Sequence, residues 1–230
     1  MRYYPIFLDI NDKPCIVVGG GGVAERKVAS LLNAGAKVLV ISPKLTPVLK
    51  RLANKKQISY RPNPYKTGDL KGFFLAYSAT NDPLVNKAVF KEAKKQGILL
   101  NVVDVPELCN FIVPSVVERG ALLIAISTSG KSPAMAKKIR EQLEKKFGME
   151  YAVFLDIMGK VREKVLTGSK ESDKNKEMFE KLVNSPMLEW IRKGKKQEIN
   201  KLLHKVLGNG FNPRLILSGA CNYKISNRRR

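Results

Sequence analysis

Histidine and cysteine are scarce in this chain of 230 residues, which contains one histidine and three cysteines. With His204 as the only histidine, the sequence argues against a multi-histidine metal site and against Ser–His catalysis. Cys15, Cys109 and Cys221 lie far apart, so no pair has the spacing of a zinc site, and their odd number argues against a disulfide framework. We therefore expect no resident metal ion.

Long apolar runs and acidic side chains are also lacking. The sequence contains no run of 18 apolar residues and no apolar segment typical of a signal peptide, so we expect a cytoplasmic protein without a membrane partner. Lys and Arg total 42 against 20 Asp and Glu, a net charge of +22 that both halves of the chain share. Such a charge attracts nucleic acid, acidic membranes or small ligands with many carboxylates or phosphates. A general compositional bias explains it equally well.

The first hundred residues alternate between short apolar runs and helical patterns. Strands that alternate with helices of this length predict right-handed βαβ units, and hence an α/β fold with a parallel sheet covered on both faces. We predict strands at 15–18, 37–41, 57–61, 72–77 and 98–103, and helices at 23–33, 45–54 and 83–96.

The pattern changes after residue 110. Apolar runs at 111–118 and 121–127 predict a β-hairpin. Ser132 is a candidate N-cap, with Pro133 as the first residue of a helix that extends to about residue 147. Residues 151 to about 207 are helical in pattern, and the polar, Gly-containing stretch at 208–230 is expected to be partly disordered.

A glycine motif follows the first predicted strand. Residues 19–24, GGGGVA, match G-x-G-x-x-A and open a predicted helix, which is the context of a dinucleotide-binding fingerprint. Gly19 permits the tight turn, Gly21 lets the backbone approach a pyrophosphate, and Ala24 lets the helix pack closely on the strand. Free N–H groups at the helix start would then hold the phosphates. A merely structural glycine turn is the alternative.

The acidic residue that usually binds the ribose is missing. It is expected about 20 residues after the motif, near Ser42, but no Asp or Glu occurs between Glu25 and Asp69. The Ser42 hydroxyl can bond the ribose instead, and Lys44 or Arg51 can meet a 2′-phosphate. The residues alone are compatible with both NAD and NADP.

Two further candidates follow later strands, at the edge of an open α/β sheet where ligands bind. Asp104 comes after the fifth predicted strand and is a candidate acid or base that faces the nicotinamide. A loop aspartate that caps a turn before Pro106 is the alternative. Thr80 follows the fourth strand and is a candidate cofactor contact, although the adjacent Asp82 and Pro83 can simply begin the next helix.

Residues 127–132, STSGKS, precede another predicted helix. They contain G-K-S, but the first glycine of a Walker A motif would fall at Ala125, which excludes a P-loop. A polar loop, a helix start and nearby cations such as Lys131 suit an anion, for example a carboxylate. An ordinary cap beside a solvated basic face is the alternative, and composition favours it.

Several motifs occur together in this sequence: PIFLDI near the start, VVGGGGVAERKV, NVVD followed by LCNFIVPS, and STSGKSPAMAKKIRE. This combination resembles the precorrin-2 dehydrogenase family, which includes the N-terminal module of siroheme synthase and bifunctional dehydrogenase/ferrochelatases. The resemblance is close over residues 1–150 and looser to about 207.

The resemblance implies NAD-dependent oxidation of precorrin-2, a tetrapyrrole with eight carboxylates, to sirohydrochlorin. Some members also insert iron, so Fe²⁺ is a possible co-substrate. It further implies a homodimer with the active site between subunits. The implied domains are a Rossmann domain over 1–112, a strand-containing dimerisation region over 113–148 and a helical domain over 149–207, before the tail at 208–230.

The resemblance also assigns roles to residues. It implies that Asp104 is the main catalytic residue. A substrate with eight negative charges also requires a cationic cleft, which would explain the positive net charge of the chain. It also implies that Gly22, Val23, Pro43 and Lys44 contact the dinucleotide, and these join Gly19, Gly21, Ser42 and Thr80 as candidate cofactor contacts. The candidate substrate contacts are Ser129, Lys131 and Ser132.

Two other functions compete with this hypothesis. A non-catalytic Rossmann module could bind NAD and regulate a partner, in which case no tetrapyrrole is turned over. A nucleic-acid-binding protein would explain the charge and the terminal Arg-Arg-Arg. However, the sequence has no helix-turn-helix, RNP or zinc signature, and aromatic residues make up only 7% of it. Nucleic acid is therefore not an expected partner.

Overall fold

The structure is a computed structural model that describes residues 3–168 and 172–207. The chain separates into two compact units, Met1–Val113 and Pro114–Arg230. The predicted tail at 208–230 lies outside the described residues, and the four-part division of the chain remains a prediction.

The first unit is built around a five-stranded parallel sheet with the strand order β3-β2-β1-β4-β5. This arrangement confirms the predicted Rossmann-like fold class. The strands are β1 (Pro14–Val18), β2 (Lys37–Ile41), β3 (Ser59–Arg61), β4 (Leu75–Ser78) and β5 (Leu99–Val102), and the helices are α1 (Gly22–Asn33), α2 (Pro47–Asn54) and α3 (Pro83–Gln96).

The central strands are apolar throughout because both faces of the sheet are covered. Successive residues of β1 point to opposite faces. Val17 packs with Val28 of α1 in one apolar cluster, whereas Ile16 packs with Val89 of α3 in a second cluster. All four side chains are fully buried. A strand buried on both faces needs no polar alternation, which explains why CIVV is a continuous apolar run.

Side-chain caps set the starts of two helices. Thr46 caps α2 by accepting a hydrogen bond from the Leu49 N–H at 3.2 Å, so this helix begins at Pro47 and not at residue 45 as predicted. Asp82 caps α3 by accepting from the Leu84 N–H at 2.8 Å. Asp82 and Pro83 therefore begin this helix, which was the alternative interpretation of the loop that carries Thr80.

The second unit contains a β-hairpin followed by helices. The predicted hairpin is present as the antiparallel strands β6 and β7, and Ser132 caps α4 through the Met135 N–H at 3.2 Å, as predicted. The elements are β6 (Ser115–Arg119), β7 (Leu122–Ile126), α4 (Pro133–Lys146), α5 (Glu150–Gly168), α6 (Ser172–Val183), α7 (Met187–Arg192) and α8 (Lys196–Leu207).

The first hairpin strand begins later than predicted. Residues 111–113 belong to the first unit, where the Phe111 ring packs edge-to-face on Tyr77 of β4 with 5.8 Å between ring centroids. The apolar run at 111–118 is therefore divided between the end of the first unit and strand β6, and the apolar pattern does not mark where one ends and the other begins.

The helices of the second unit bury their own apolar cluster, which includes Ile157, Leu182 and Met187. No helix in the described part of the chain has both the length and the apolar character required to cross a bilayer.

Cys15 provides a test of the core of the first unit. It is completely buried in β1, and burial raises the pKa of its thiol from 9.0 to about 11. Because the folded protein keeps this proton where the unfolded chain loses it, the free energy of unfolding falls as the pH rises between these two values. We expect wild type to lose about 2 kcal/mol more stability than Cys15→Val between about pH 8 and about pH 11. Urea unfolding at each pH measures this difference, and identical pH profiles would contradict the assignment.

Candidate active site

The glycine turn between β1 and α1 is held between two neighbouring strands. Gly19 has a φ of 117°, a backbone conformation that residues other than glycine rarely adopt. Its N–H donates to the Ile41 carbonyl at the end of β2 at 2.9 Å. A Cβ at Gly19 would collide with the Ala79 carbonyl, just after β4. The turn therefore accepts only glycine at this position.

Gly20 packs against the loop that follows β2. A Cβ at Gly20 would collide with the Lys44 carbonyl and lie 2.8 Å from the Ser42 hydroxyl oxygen. The Gly20 carbonyl also accepts a hydrogen bond from the Thr46 N–H at 3.0 Å. No role was predicted for Gly20, because it is a variable position of the motif. The uninterrupted run of four glycines is the feature of the sequence that could have indicated one.

Gly21 and Gly22 face open space. A Cβ at either position would meet no atom within 4 Å. Gly21 is the N-cap of α1, and among the described residues no side chain caps this helix. The first N–H groups of α1 are thus available to an anion at the positive end of the helix dipole. This cradle fits the pyrophosphate of a dinucleotide.

The loop after β2 places three predicted cofactor contacts beside the glycine turn. Ser42 is 8% exposed, and its hydroxyl donates to the Lys44 carbonyl at 2.8 Å. The Tyr60 hydroxyl donates to the Ser42 carbonyl at 3.0 Å, which fixes the loop against β3. Pro43 and Lys44 are exposed. The Ser42 hydroxyl thus shapes the loop, and its predicted contact with the ribose remains a prediction.

A cleft of about 540 Å³ lies at the carboxyl ends of β4 and β5. It brings together Val23 from the start of α1, Thr80 from the loop after β4 and Asp104 from the turn after β5. Its lining also includes Asn86 and Lys87 of α3 and a second carboxylate, that of Glu107. Three residues predicted separately therefore share one cavity at the sheet edge where ligands of this fold class bind.

Asn86 shapes the loop that carries Thr80. The buried Ser78 hydroxyl donates to Asn86 Oδ1 at 2.7 Å, and the Asn86 amide donates to the Thr80 carbonyl at 3.3 Å. Buried polar groups require such partners, so this pair holds the loop in one conformation. Asn86 was not predicted from the sequence, because a polar residue in a helical pattern normally faces solvent.

Lys27 contributes a cation near Asp104. Its ammonium lies over the Tyr77 ring, 5.2 Å from the centroid. Burial and then the neighbouring Arg26 lower the pKa of Lys27, whereas the negative charge of Asp104 acts in the opposite direction. Lys27 and Asp104 therefore attract one another. Lys27 was not among the residues predicted for the site, because one lysine within a helical pattern gives no signal of a nearby carboxylate.

The three predicted substrate contacts lie in the second unit, in the loop before α4. Ser129 has a φ of 53°, and its N–H donates to the Ser127 hydroxyl oxygen at 3.0 Å. The Thr128 hydroxyl donates to the Ser132 carbonyl at 3.0 Å. Ser132 acts as a cap, as described above, and Lys131 is exposed. Binding of substrate by Ser129, Lys131 and Ser132 remains a prediction.

Metal ligands do not cluster in the described residues. Within residues 3–168 and 172–207, no three His, Cys, Asp or Glu side chains are grouped so that they could hold a metal ion. His204 is exposed on α8. The polar side chains that line the cleft are those of Thr80, Asn81, Asn86, Lys87, Asp104 and Glu107.

Comparison with known proteins places this geometry in context. A family model described as "Putative NAD(P)-binding" matches residues 6–115, and one described as "Sirohaem biosynthesis protein central" matches residues 119–146. Siroheme synthase of Methylococcus capsulatus is 36% identical over 203 residues, which are 88% of this chain and 43% of that protein. Siroheme synthase of Nitrosococcus oceani is 37% identical over 216 residues, 93% of this chain and 46% of that protein. The chain thus spans less than half the length of these relatives.

A solved structure is similar over nearly its whole length. The chain described as "SirC, precorrin-2 dehydrogenase" superimposes with a TM-score of 0.74 and 27% sequence identity. The match covers 89% of this chain and 98% of that structure. The similarity therefore extends over both units.

Two glycine substitutions separate folding from dinucleotide binding. Gly21→Ala places a methyl group where this chain has open space, so we expect unchanged thermal unfolding but a roughly tenfold or larger rise in the Kd for NAD, because the methyl group blocks the pyrophosphate. Gly20→Ala must displace the Lys44 backbone, so we expect a loss of about 1–3 kcal/mol in the free energy of unfolding.

Calorimetric titration and thermal unfolding of the two variants measure these effects. Wild-type affinity for NAD in Gly21→Ala would show that the glycine turn does not hold the pyrophosphate. Wild-type stability of Gly20→Ala would contradict the close contact with the loop after β2.

Proposed function

Because the chain belongs to the precorrin-2 dehydrogenase family of sirohaem-biosynthesis proteins, we propose that it oxidises precorrin-2 to sirohydrochlorin with NAD as the hydride acceptor. The observation that carries this proposal is the cleft in which Asp104 shares a cavity with the start of α1 and the Thr80 loop. That arrangement puts one carboxylate at the edge where a dinucleotide binds.

Different residues of the cleft have different roles in the reaction. Bound NAD would supply the hydride acceptor. The free N–H groups at the start of α1 hold its pyrophosphate, and the Thr80 loop orients it in the cleft. Precorrin-2 loses a proton together with the hydride, and the Asp104 carboxylate accepts this proton as a general base. Lys27 supplies a positive charge that interacts electrostatically with this carboxylate.

The positive charge of the protein suits the substrate. Precorrin-2 carries eight carboxylates, Lys87 lines the cleft, and the charge of Lys27 interacts with that of Asp104. Lys131, with Ser129 and Ser132 at the start of α4, supplies further carboxylate contacts in this proposal. A cytoplasmic homodimer with its active site between subunits completes the proposal.

Asp104→Asn tests the catalytic role with little change in shape, because asparagine tolerates the positive φ of this position. We expect turnover to fall by about 100-fold or more, since a general base contributes at least that much, while the Kd for NAD stays at the wild-type value. The assay supplies enzymatically generated precorrin-2 under anaerobic conditions and follows sirohydrochlorin by its visible absorbance. Undiminished turnover would remove Asp104 from the mechanism.

The same assay tests the cofactor and the overall activity. We expect faster product formation with NAD than with NADP. If neither cofactor gives product, the proposed activity is wrong and the hypothesis of a non-catalytic NAD-binding module replaces it.

In a second stage, ferrous iron is added after sirohydrochlorin has formed. Enzyme-accelerated loss of free sirohydrochlorin would make the protein a ferrochelatase as well, whereas an unchanged rate would make it a dedicated dehydrogenase.

A further inference from the structure

The turn that carries Asp104 has an unusual backbone. Residues 102–105 form a four-residue turn closed by a hydrogen bond from the Val105 N–H to the Val102 carbonyl at 3.3 Å. Asp104 occupies the third position with a φ of 60°. Turns that require a positive φ at this position favour glycine or asparagine. An aspartate there is strained, and strain of this kind persists only where the surroundings enforce it.

The Cys109 thiol contacts this turn on both sides of Asp104. Its sulfur accepts a hydrogen bond from the Val102 N–H at 3.2 Å. The thiol hydrogen faces two carbonyl oxygens, Val102 O at 3.2 Å and Val105 O at 3.4 Å. One side chain thus joins the residue two positions before Asp104 to the residue directly after it.

The backbone that carries the thiol is anchored independently. Asn110 runs along the free edge of β5, where its side chain accepts from the Leu100 N–H at 2.8 Å and donates to the Ile98 carbonyl at 2.9 Å. The Asn110 N–H donates to the Leu100 carbonyl at 3.0 Å. Asn110 therefore pairs with β5 almost as a sixth strand would. The backbone that carries the Cys109 sulfur is therefore tied to β5 through the adjacent Asn110.

We propose that Cys109 is a positioning residue for Asp104, holding the 102–105 turn so that the carboxylate keeps its place in the cleft. The proposal rests on the proposed function only in what Asp104 does, and the contact itself is independent of it. This role also explains why LCN follows NVVD so closely: the short 3₁₀ helix Pro106–Leu108 returns the chain to its own turn.

The thiol keeps its hydrogen at neutral pH. Burial raises the pKa of Cys109, with a smaller effect of Glu107 in the same direction, while the Val102 hydrogen bond and Lys27 lower it. The charged groups that act on this region thus come from α1, from the turn and from the 3₁₀ helix. A neutral thiol can accept from Val102 and donate to a carbonyl at the same time, which a thiolate cannot.

The test compares Cys109→Ala, which removes the contact, with Cys109→Ser, which keeps a donor and an acceptor at a slightly shorter reach. Amide hydrogen exchange of Val102 and Val105 reports on the turn without any need for activity. We expect exchange at least about fivefold faster in Cys109→Ala and near wild type in Cys109→Ser, with unchanged exchange in β1 as the folding control.

The kinetic arm asks whether the effect passes through Asp104. We expect Cys109→Ala to lower kcat about tenfold with the KM for NAD within about twofold of wild type, and Cys109→Ser to restore most of kcat. In an Asp104→Asn background the same substitution is expected to cause no further loss, because the group it positions is already gone.

Each result decides the proposal. Unchanged amide exchange in Cys109→Ala overturns it whatever the kinetics show, as does faster exchange with wild-type kcat. An equal further loss of kcat in the Asp104→Asn background would show that Cys109 acts through another group. If wild type turns over no precorrin-2, the proposed function fails, and the exchange data alone then decide whether the thiol holds the turn.

Discussion

The close approach of backbone to backbone around the glycine turn is the constraint on which the first unit depends. Gly19 lies against the carbonyl of Ala79, and Gly20 lies against the carbonyl of Lys44. These two contacts join the ends of β1, β2 and β4 at one edge of the sheet. Any side chain at either position would separate the loops of the candidate cofactor site, so the absence of two Cβ atoms sets the geometry of the whole edge.

Polar side chains complete this edge by bonding backbone groups of the loops. Ser42 and Asn86 bond the loops after β2 and β4, and Cys109 bonds the turn after β5. Glu92 does the same away from the cleft, where its buried carboxylate accepts from the Tyr65 hydroxyl and from the Leu70 N–H at 3.0 Å. Because the loops cannot form a ladder of their own, side chains supply the partners that their backbone groups need. The ligand-binding edge is therefore preorganised by residues that themselves need touch no ligand.

Much of the fold could be predicted from local pattern. The alternation of apolar runs and helical periods predicts the parallel sheet, and Ser132 with Pro133 marks the start of α4. The errors lie at the ends of helices and strands, where a capping side chain or a contact distant in sequence decides which residue is the first or last. Thr46 moves the start of α2, and the packing of Phe111 on Tyr77 ends the first unit inside an apolar run. Neither effect leaves a periodic signal, because each depends on one side chain and its partner.

The sequence by itself determined the fold class and the glycine turn, because these features are encoded in short local patterns. From the residues alone Asp104 was one of several candidates, and the family resemblance made it the principal one. Only the tertiary structure decided which residues meet. It brings Val23, Thr80 and Asp104 into one cleft, sets the ammonium of Lys27 near that carboxylate and returns Cys109 to the turn. The physical reason is that parallel strands far apart in the chain end at a common edge. Contacts between the loops there follow from strand order, and strand order is a property of the folded sheet.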